Sequence, residues 1–279
     1  MSAEFSISKL IRLFFFSFAL SVSAVKSVYA ENHLAEQCPS GAPSHAPHAI
    51  TGETCPTVGN MSGVRLAIPN HYLFGPVVYE GVDIWSAKSY ENRPRHPTFD
   101  NAFDNFAIKI RLNNFKPIET AKDWDDFRRK DHTVEIQPFE NRWLYVQFKP
   151  KTTSQPTPSY RIEFNNWMKN DVGWGPFVRQ PDVWGLQHYI SAKAPQPISG
   201  GQQHEFFYDA KTDSTFIHCS NSVTNQPPHK ALSSCEISFF IYEIKAWTDA
   251  SNINVKDDLA RWKEIESGIR TIAGSFIVP

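Results

Sequence analysis

The sequence lacks any strong excess of charge of one sign, any long hydrophobic run, and the short motifs that mark the commoner enzymes. The formal charge is −1 over 279 residues, with no basic footprint of the kind a phosphate backbone requires, so nucleic acid is excluded as a partner. The longest uncharged apolar run, Leu13 to Val25, is 13 residues and is interrupted by three serines. A helix needs roughly 20 predominantly apolar residues to cross a bilayer, so this run is too short to span. No G-x-S-x-G pentapeptide, HExxH pair, Walker loop or GxGxxG is present, which counts against the common hydrolase and nucleotide-binding classes. Neither CxxC spacing nor a HxxxH pair occurs, and no metal or other cofactor is expected.

What the N-terminus does contain is a secretion signal. Lys9 and Arg12 precede the apolar run, and Val28 and Ala30 put small residues at the positions a signal peptidase reads. Cleavage is expected after Ala30. It removes three basic residues and one acid and moves the formal charge from −1 to −3. The mature chain is therefore expected in the periplasm or outside the cell, not spanning a membrane. All four cysteines, Cys38, Cys55, Cys219 and Cys235, lie in the exported part, where an oxidising compartment favours disulfides. Three pairings are open, and local closure favours Cys38 with Cys55 and Cys219 with Cys235.

Residues 31–62 are rich in Pro, Gly, Ser and Thr and too poor in large apolar groups to offset backbone ordering. They read as a loop or tail held by the first bridge. His45 and His48 fall in it, but Pro43 and Pro47 prevent the helix that would bring both rings to one side. From residue 63 the texture changes to short apolar alternations. Val64–Ile68, Val82–Trp85, Phe106–Leu112 and Trp143–Phe148 read as strands of an antiparallel sheet with one wet face. Thr120-Ala-Lys-Asp123 reads as a variant capping box opening a short helix on which Trp124 and Phe127 share a side.

The stretch 151–158, KTTSQPTP, has no apolar side chain beyond proline and is the natural boundary between a first β-rich lobe, 63–150, and a second, 159–279. Tyr160–Phe164, Leu186–Ile190, Glu205–Tyr208, Thr215–Cys219 and Cys235–Ile244 read as strands of the second lobe. The chain closes on an amphipathic helix. Asn254 is its expected N-cap, Asp257 and Asp258 occupy its first turn, and Val255, Leu259, Trp262, Ile265, Ile269 and Ile272 form its apolar stripe. Gly268 in mid-helix costs about 1 kcal/mol relative to Ala, which points to close packing there. The expected fold class is α+β, two-lobed, with mainly antiparallel sheets and a few covering helices.

The most unusual stretch is 170–185. It gathers Trp174, Phe177, Arg179 and Trp184 among three glycines and two prolines, the composition of an interface hot spot on a rigid frame. These four residues are the candidate partner-binding set, against the alternative that the aromatics turn back into the core. His188, His204 and His218 lie near strands and acquire a meaning only if they cluster. Glycoside cleavage needs two carboxylates across a groove, for which Asp83, Asp125, Asp126, Asp182 and Asp209 are candidates, and a structural envelope role is a third possibility.

Four features occur in a distinctive order: the exported signal with Ile68-Pro69-Asn70-His71-Tyr72-Leu73 after a strand, Trp184-Gly185-Leu186 leading into a strand, the late Cys219 and Cys235, and Leu259-x-x-Trp262-x-x-Ile265 in a terminal helix ending at Ser275-Phe276. Together they resemble periplasmic proteins encoded beside type VI secretion effectors, including immunity proteins against phospholipase toxins. The resemblance covers most of the mature chain and is one of texture and order. It implies a two-lobed α+β protein that binds and blocks a secreted toxin, with no catalytic residues, and it carries no interface residue over by position.

Overall fold

A computed structural model of the chain describes residues 56–279 apart from 84, 87, 89–90, 96, 131–141, 152–159, 170–175, 193–202, 224–230 and 254–257. The chain divides into two units, residues 1–41 with Pro279 and residues 42–278, and the account below concerns the second. The expected signal segment, Cys38 and Cys55, and Trp174 lie outside the described residues.

The strands are β1 (Thr57–Met61), β2 (Val64–Ile68), β3 (Val78–Tyr79), β4 (Phe103–Arg111), β5 (Trp143–Pro150), β6 (Phe177–Val183), β7 (Leu186–Ser191), β8 (Gln203–Tyr208), β9 (Thr215–Val223), β10 (Ala231–Ile241) and β11 (Ala246–Ile253). The helices are α1 (Ala121–Lys130), α2 (Tyr160–Lys169) and α3 (Trp262–Ser275). β1 and β2 form a hairpin, and the other nine strands form one sheet in the order β3-β4-β5-β11-β10-β9-β8-β7-β6. Every strand pair in that sheet is antiparallel. The sheet runs unbroken across the 151–158 stretch, because β5 from the expected first lobe pairs with β11 from the expected second.

Alternation along the strands gives the sheet two differently covered faces. On the first face, Phe106, Ile108 and Ile110 of β4, Leu144, Val146 and Phe148 of β5, Ala246 and Ala250 of β11, and Ile237, Phe239 and Ile241 of β10 make the main core. Helix α3 lays Trp262, Ile265, Ile269 and Ile272 on it, and the β1–β2 hairpin adds Met61, Leu66 and Ile68. The tail after α3 ties these two covers together, since the Ala67 amide donates to the Phe276 carbonyl at 2.8 Å and the Val278 amide to the Arg65 carbonyl at 3.0 Å. Gly268 lies where a Cβ would come within 2.6 Å of the Phe115 ring, which is the close packing expected at that position.

The second face has two smaller cores. Helix α2 packs Tyr160 and Phe164 on Phe206, Tyr208 and Phe216. Helix α1 packs Phe127 with Ile118 and Trp143, and Phe74 and Trp124 flank them. Its capping box forms as read, with the Asp123 amide donating to Thr120 Oγ1 at 3.1 Å and the Thr120 amide returning to Asp123 Oδ2 at 3.0 Å. Burial pushes the Asp123 carboxyl up, but hydrogen bonds from Arg111 and Thr120 outweigh it and hold the group below the usual carboxylate range. The second face is therefore not simply wet. Lys109, on the polar side of a strand in the sheet expected to have a wet face, is buried with its ammonium over Phe127 at 4.4 Å and Phe74 at 4.8 Å.

Four local readings are corrected. Thr57–Met61, the end of the segment read as loop or tail, is strand β1, because it pairs antiparallel with β2 and buries Met61 in the main core. Tyr160–Phe164 is the first half of helix α2, not a strand. Tyr160, Phe164 and Met168 recur every four residues on one apolar stripe, and that period overrides the apparent alternation of five residues. At the described residues of Val82–Trp85 no strand forms, because Gly81, at φ 79°, turns the chain away and Asp83 closes an Asx turn by accepting the Trp85 amide at 2.9 Å. The terminal α-helix begins at Trp262, after a 3-10 turn at Leu259–Arg261, instead of just after Asn254. Asp258 is buried ahead of that turn and ion-paired with Arg142, a stronger attraction than the helix dipole offers. Asn254 to Asp257, the expected cap and first-turn residues, lie outside the described residues.

Candidate binding surface

The hairpin β6–β7 closes the sheet at one edge and contains the described part of the 170–185 stretch. Its tip is Trp184-Gly185, between the paired residues Val183 and Leu186, with φ of 52° and 81°. Positive φ at both central residues is the type I′ arrangement that matches strand twist. Glycine takes the second position freely, but tryptophan in the left-handed region costs roughly 1–2 kcal/mol. The strain is held by the surroundings. Trp262 Nε1 of α3 donates to the Trp184 carbonyl at 3.2 Å, and the indole ring stands 5.6 Å from Phe207 while remaining 36% exposed.

The other candidates are placed differently. Phe177 is half-buried and meets Phe206 edge-on at 4.9 Å, within the core beneath α2. Arg179 folds back on its own hairpin, with its guanidinium 5.2 Å over Tyr189 and hydrogen-bonded to the Asp182 carboxylate and the Gln180 carbonyl. Those bonds bridge the irregularity between Gln180 and Val183, where Pro181 removes a backbone donor. Phe177 and Arg179 thus share the face that carries α2, whereas Trp184 sits at the far end of the strand and leans on the face that carries α3. The structure does not bring these three into one patch.

Cys219 and Cys235 are bridged, directly opposite each other on β9 and β10 and buried in the main core. The three histidines divide between the faces of β8. His204 Nδ1 and His218 Nε2 lie 2.9 Å apart, with the His218 ring 4.9 Å from Phe206. Burial lowers both pKa values, and for His218 burial followed by the neighbouring His204 brings it to about 4. On the other face His188 Nε2 meets Glu205 Oε2 at 3.0 Å and stacks on Phe207 at 4.4 Å, while Asn221 Nδ2 donates to the same carboxylate at 2.5 Å. Among the described residues no group of three or more His, Cys, Asp and Glu could hold a metal ion.

The carboxylates considered for glycoside cleavage serve local turns and pairs. Asp83 closes its Asx turn, Asp182 pairs with Arg179, and Asp209 accepts from the Lys211 amide at 3.0 Å and Thr212 Oγ1 at 2.7 Å. Asp125 is exposed on α1, and the side chain of Asp126 lies outside the described residues.

Two exposed aromatics escaped the sequence reading. Trp85 is 91% exposed on the connection from β3 to β4, and Tyr242 is 60% exposed on the turn from β10 to β11. Tyr242 had a findable signal. The run from Cys235 to Ile253 is too long for one strand of ordinary length, and Glu243-Ile244-Lys245 is the charged interruption that leaves Ile241 opposite Ala246.

Among the described residues no helix is long and apolar enough to cross a membrane. No protein-family model matches the chain, and no curated protein matches it significantly. Among solved structures the chain is similar to an immunity protein of the Stenotrophomonas maltophilia type IV secretion system, at 13% identity and a TM-score of 0.45, over 79% of this chain and 92% of that one.

Proposed function

We propose that the chain is an exported immunity protein that binds, one to one, a toxin protein delivered into the cell envelope by a secretion system, and that it acts by this binding and not by catalysis. The observation that carries the reading is Trp184. A large aromatic side chain stands partly exposed at a hairpin tip in a backbone conformation that disfavours it, and α3 fixes the carbonyl behind it. Strain of this kind persists where the surroundings over-determine it, and it clusters at functional sites. A preorganised tryptophan loses little freedom on binding, and tryptophan is among the residues that supply most interface energy.

In this reading residues 1–30 direct export and are removed. Trp184 is the anchor, Arg179 stiffens the strand behind it, Phe177 fastens the strand to the core, and Trp174 extends the same stretch. The type VI system and a phospholipase-type effector are the partners implied by the resemblance drawn from Ile68–Leu73, Trp184–Leu186 and the terminal helix.

The test is a titration of the mature chain against the purified products of the two genes flanking its own, with Trp184→Ala in parallel. One product is expected to bind, and the substitution to weaken it by about 2 kcal/mol or more, on the order of thirtyfold, with little change in melting temperature. Absence of binding to either product defeats the reading.

A further inference from the structure

The antiparallel order of the sheet determines which turns share an end. Gln187 pairs with Tyr208, so the β6–β7 tip lies at the same end as the β8–β9 turn. Phe239 pairs with Thr215, which puts the β10–β11 turn there too, and Ala246 pairs with Pro150, at the close of β5. Phe106 pairs with Phe148 and Tyr79 with Phe103, so the chain leaving β3 toward β4 departs from this same end. The β1–β2 turn joins it, where Ser62 Oγ donates to the Lys245 carbonyl at 3.3 Å. Trp184 and Tyr242 therefore project from turns at one end of the sheet, and Trp85, the third exposed large aromatic among the described residues, lies on the connection that leaves from and returns to that end.

That end also carries four of the six non-glycine residues with positive φ among the described residues. Ser62, Trp184, Asp213 and Lys245 have positive φ without being glycine, and all four sit in its turns. Asp213 is held by the Tyr208 hydroxyl at 2.6 Å and the Arg161 amide at 2.8 Å. Single exposed aromatics are ordinary on any surface, but three on separate connections that meet one end of the sheet are not scattered.

The spacing selects the kind of partner. With strands about 4.8 Å apart, roughly 19 Å separates the β6–β7 tip from the β10–β11 turn, and roughly 17 Å more leads to β3. A span of about 35 Å is too wide for a sugar or a single side-chain pocket. It matches the diameter of a standard protein interface, about 800 Å² on each partner. Lys211, Lys245, Glu243, Glu80 and Asp182 are exposed at this end, a mixture without the Lys/Arg excess that draws a protein to anionic lipid.

We propose that the turn end of the sheet is a single docking surface for a folded protein domain, with Trp85 and Tyr242 as anchors beside Trp184. This rests on the immunity reading and adds the extent of the surface and the shape of its occupant.

The test uses the mature chain, the flanking-gene product that binds it, and the variants Trp85→Ala, Tyr242→Ala and both together. Each single change is expected to raise Kd about tenfold, and hydrogen exchange on binding is expected to slow in the turns around Trp184, Asp213 and Tyr242 but not around Asn114 at the opposite end. Trp85 and Tyr242 are exposed enough that folding is expected to survive, and the exchange pattern reports the surface without any substitution. If Trp184→Ala weakens binding while Trp85→Ala and Tyr242→Ala do not, and only the β6–β7 tip is protected, this inference falls and the immunity reading stands. If neither product binds, both fall. A blue shift of tryptophan emission on vesicles of phosphatidylethanolamine and phosphatidylglycerol, lost in the Trp85→Ala variant, assigns the aromatics to a lipid surface and overturns the protein-docking proposal.

Discussion

Acid is expected to weaken the fold at a particular place, the His204–His218 pair. His218 is surrounded by Phe206 and by a second imidazole, and its pKa falls from 6.5 to about 4, first through burial and then through His204. In the unfolded chain the same side chain takes up a proton near its ordinary value. Between those two values the unfolded state binds more protons, so stability present above pH 6.5 is lost as pH falls toward 4. At roughly 1.4 kcal/mol per pH unit the full loss from this group is about 3 kcal/mol, and residual solvent access at His218 reduces it. His204, lowered by burial, acts in the same direction. The assay is urea unfolding at pH 7.5, 5.5 and 4.5 on the native chain and on His218→Phe, with imidazole titration by NMR. The native midpoint is expected to fall more steeply with acid than that of the variant, since carboxylates such as Asp123 contribute equally to both. Parallel pH profiles, or a His218 titration near 6.5, would refute the reasoning.

Other substitutions test other parts of the structure. Replacing Cys219 and Cys235 together by Ala is expected to cost about 3 kcal/mol for a loop of this length, on the order of 6–12 °C in melting temperature; no change in calorimetry means the bridge adds nothing that β9–β10 pairing lacks. Gly268→Ala gains about 1 kcal/mol of helix propensity but meets the Phe115 ring, where overpacking typically costs about 1–3 kcal/mol, so a net loss of about 1 kcal/mol is expected. In a Phe115→Ala background the same change is expected to stabilise, and thermal unfolding of the two pairs reads the reversal of sign. Thr120→Ala removes the cap of α1 and is expected to cost about 1 kcal/mol, measured by chemical unfolding.

The strands with period-two alternation and flanking turn residues are legible in the sequence, and so is α3, because its apolar residues recur at steps of three and four along the helix. Both signals come from neighbours close in sequence. The errors fall where a short segment satisfies two periods at once. Tyr160-Arg-Ile-Glu-Phe164 alternates like a strand and also begins a stripe that Met168 continues, and only the continuation decides between them. The wet face is misjudged for a related reason. Alternation shows that Lys109 and Arg111 point away from the main core, but not that α1 returns to cover them, leaving Lys109 among rings and Arg111 paired with Asp123 at 2.6 Å. Division into lobes at 151–158 follows composition, whereas pairing of β5 with β11 is a contact between residues about 100 apart, invisible to any local pattern.

The proposed binding surface is legible in its chemistry and not in its arrangement. Composition around 170–185 points to Trp184, and among the described candidates that residue stands exposed and strained. The same composition points equally to Phe177, which a single cross-strand neighbour, Phe206, takes into the core. Trp85 ends a run that reads as a strand, and Tyr242 sits inside another. Each is far from Trp184 along the chain, so no local window contains any two of the three. Only the register of the nine strands sets their turns at one end of the sheet, and register is a property of long-range pairing.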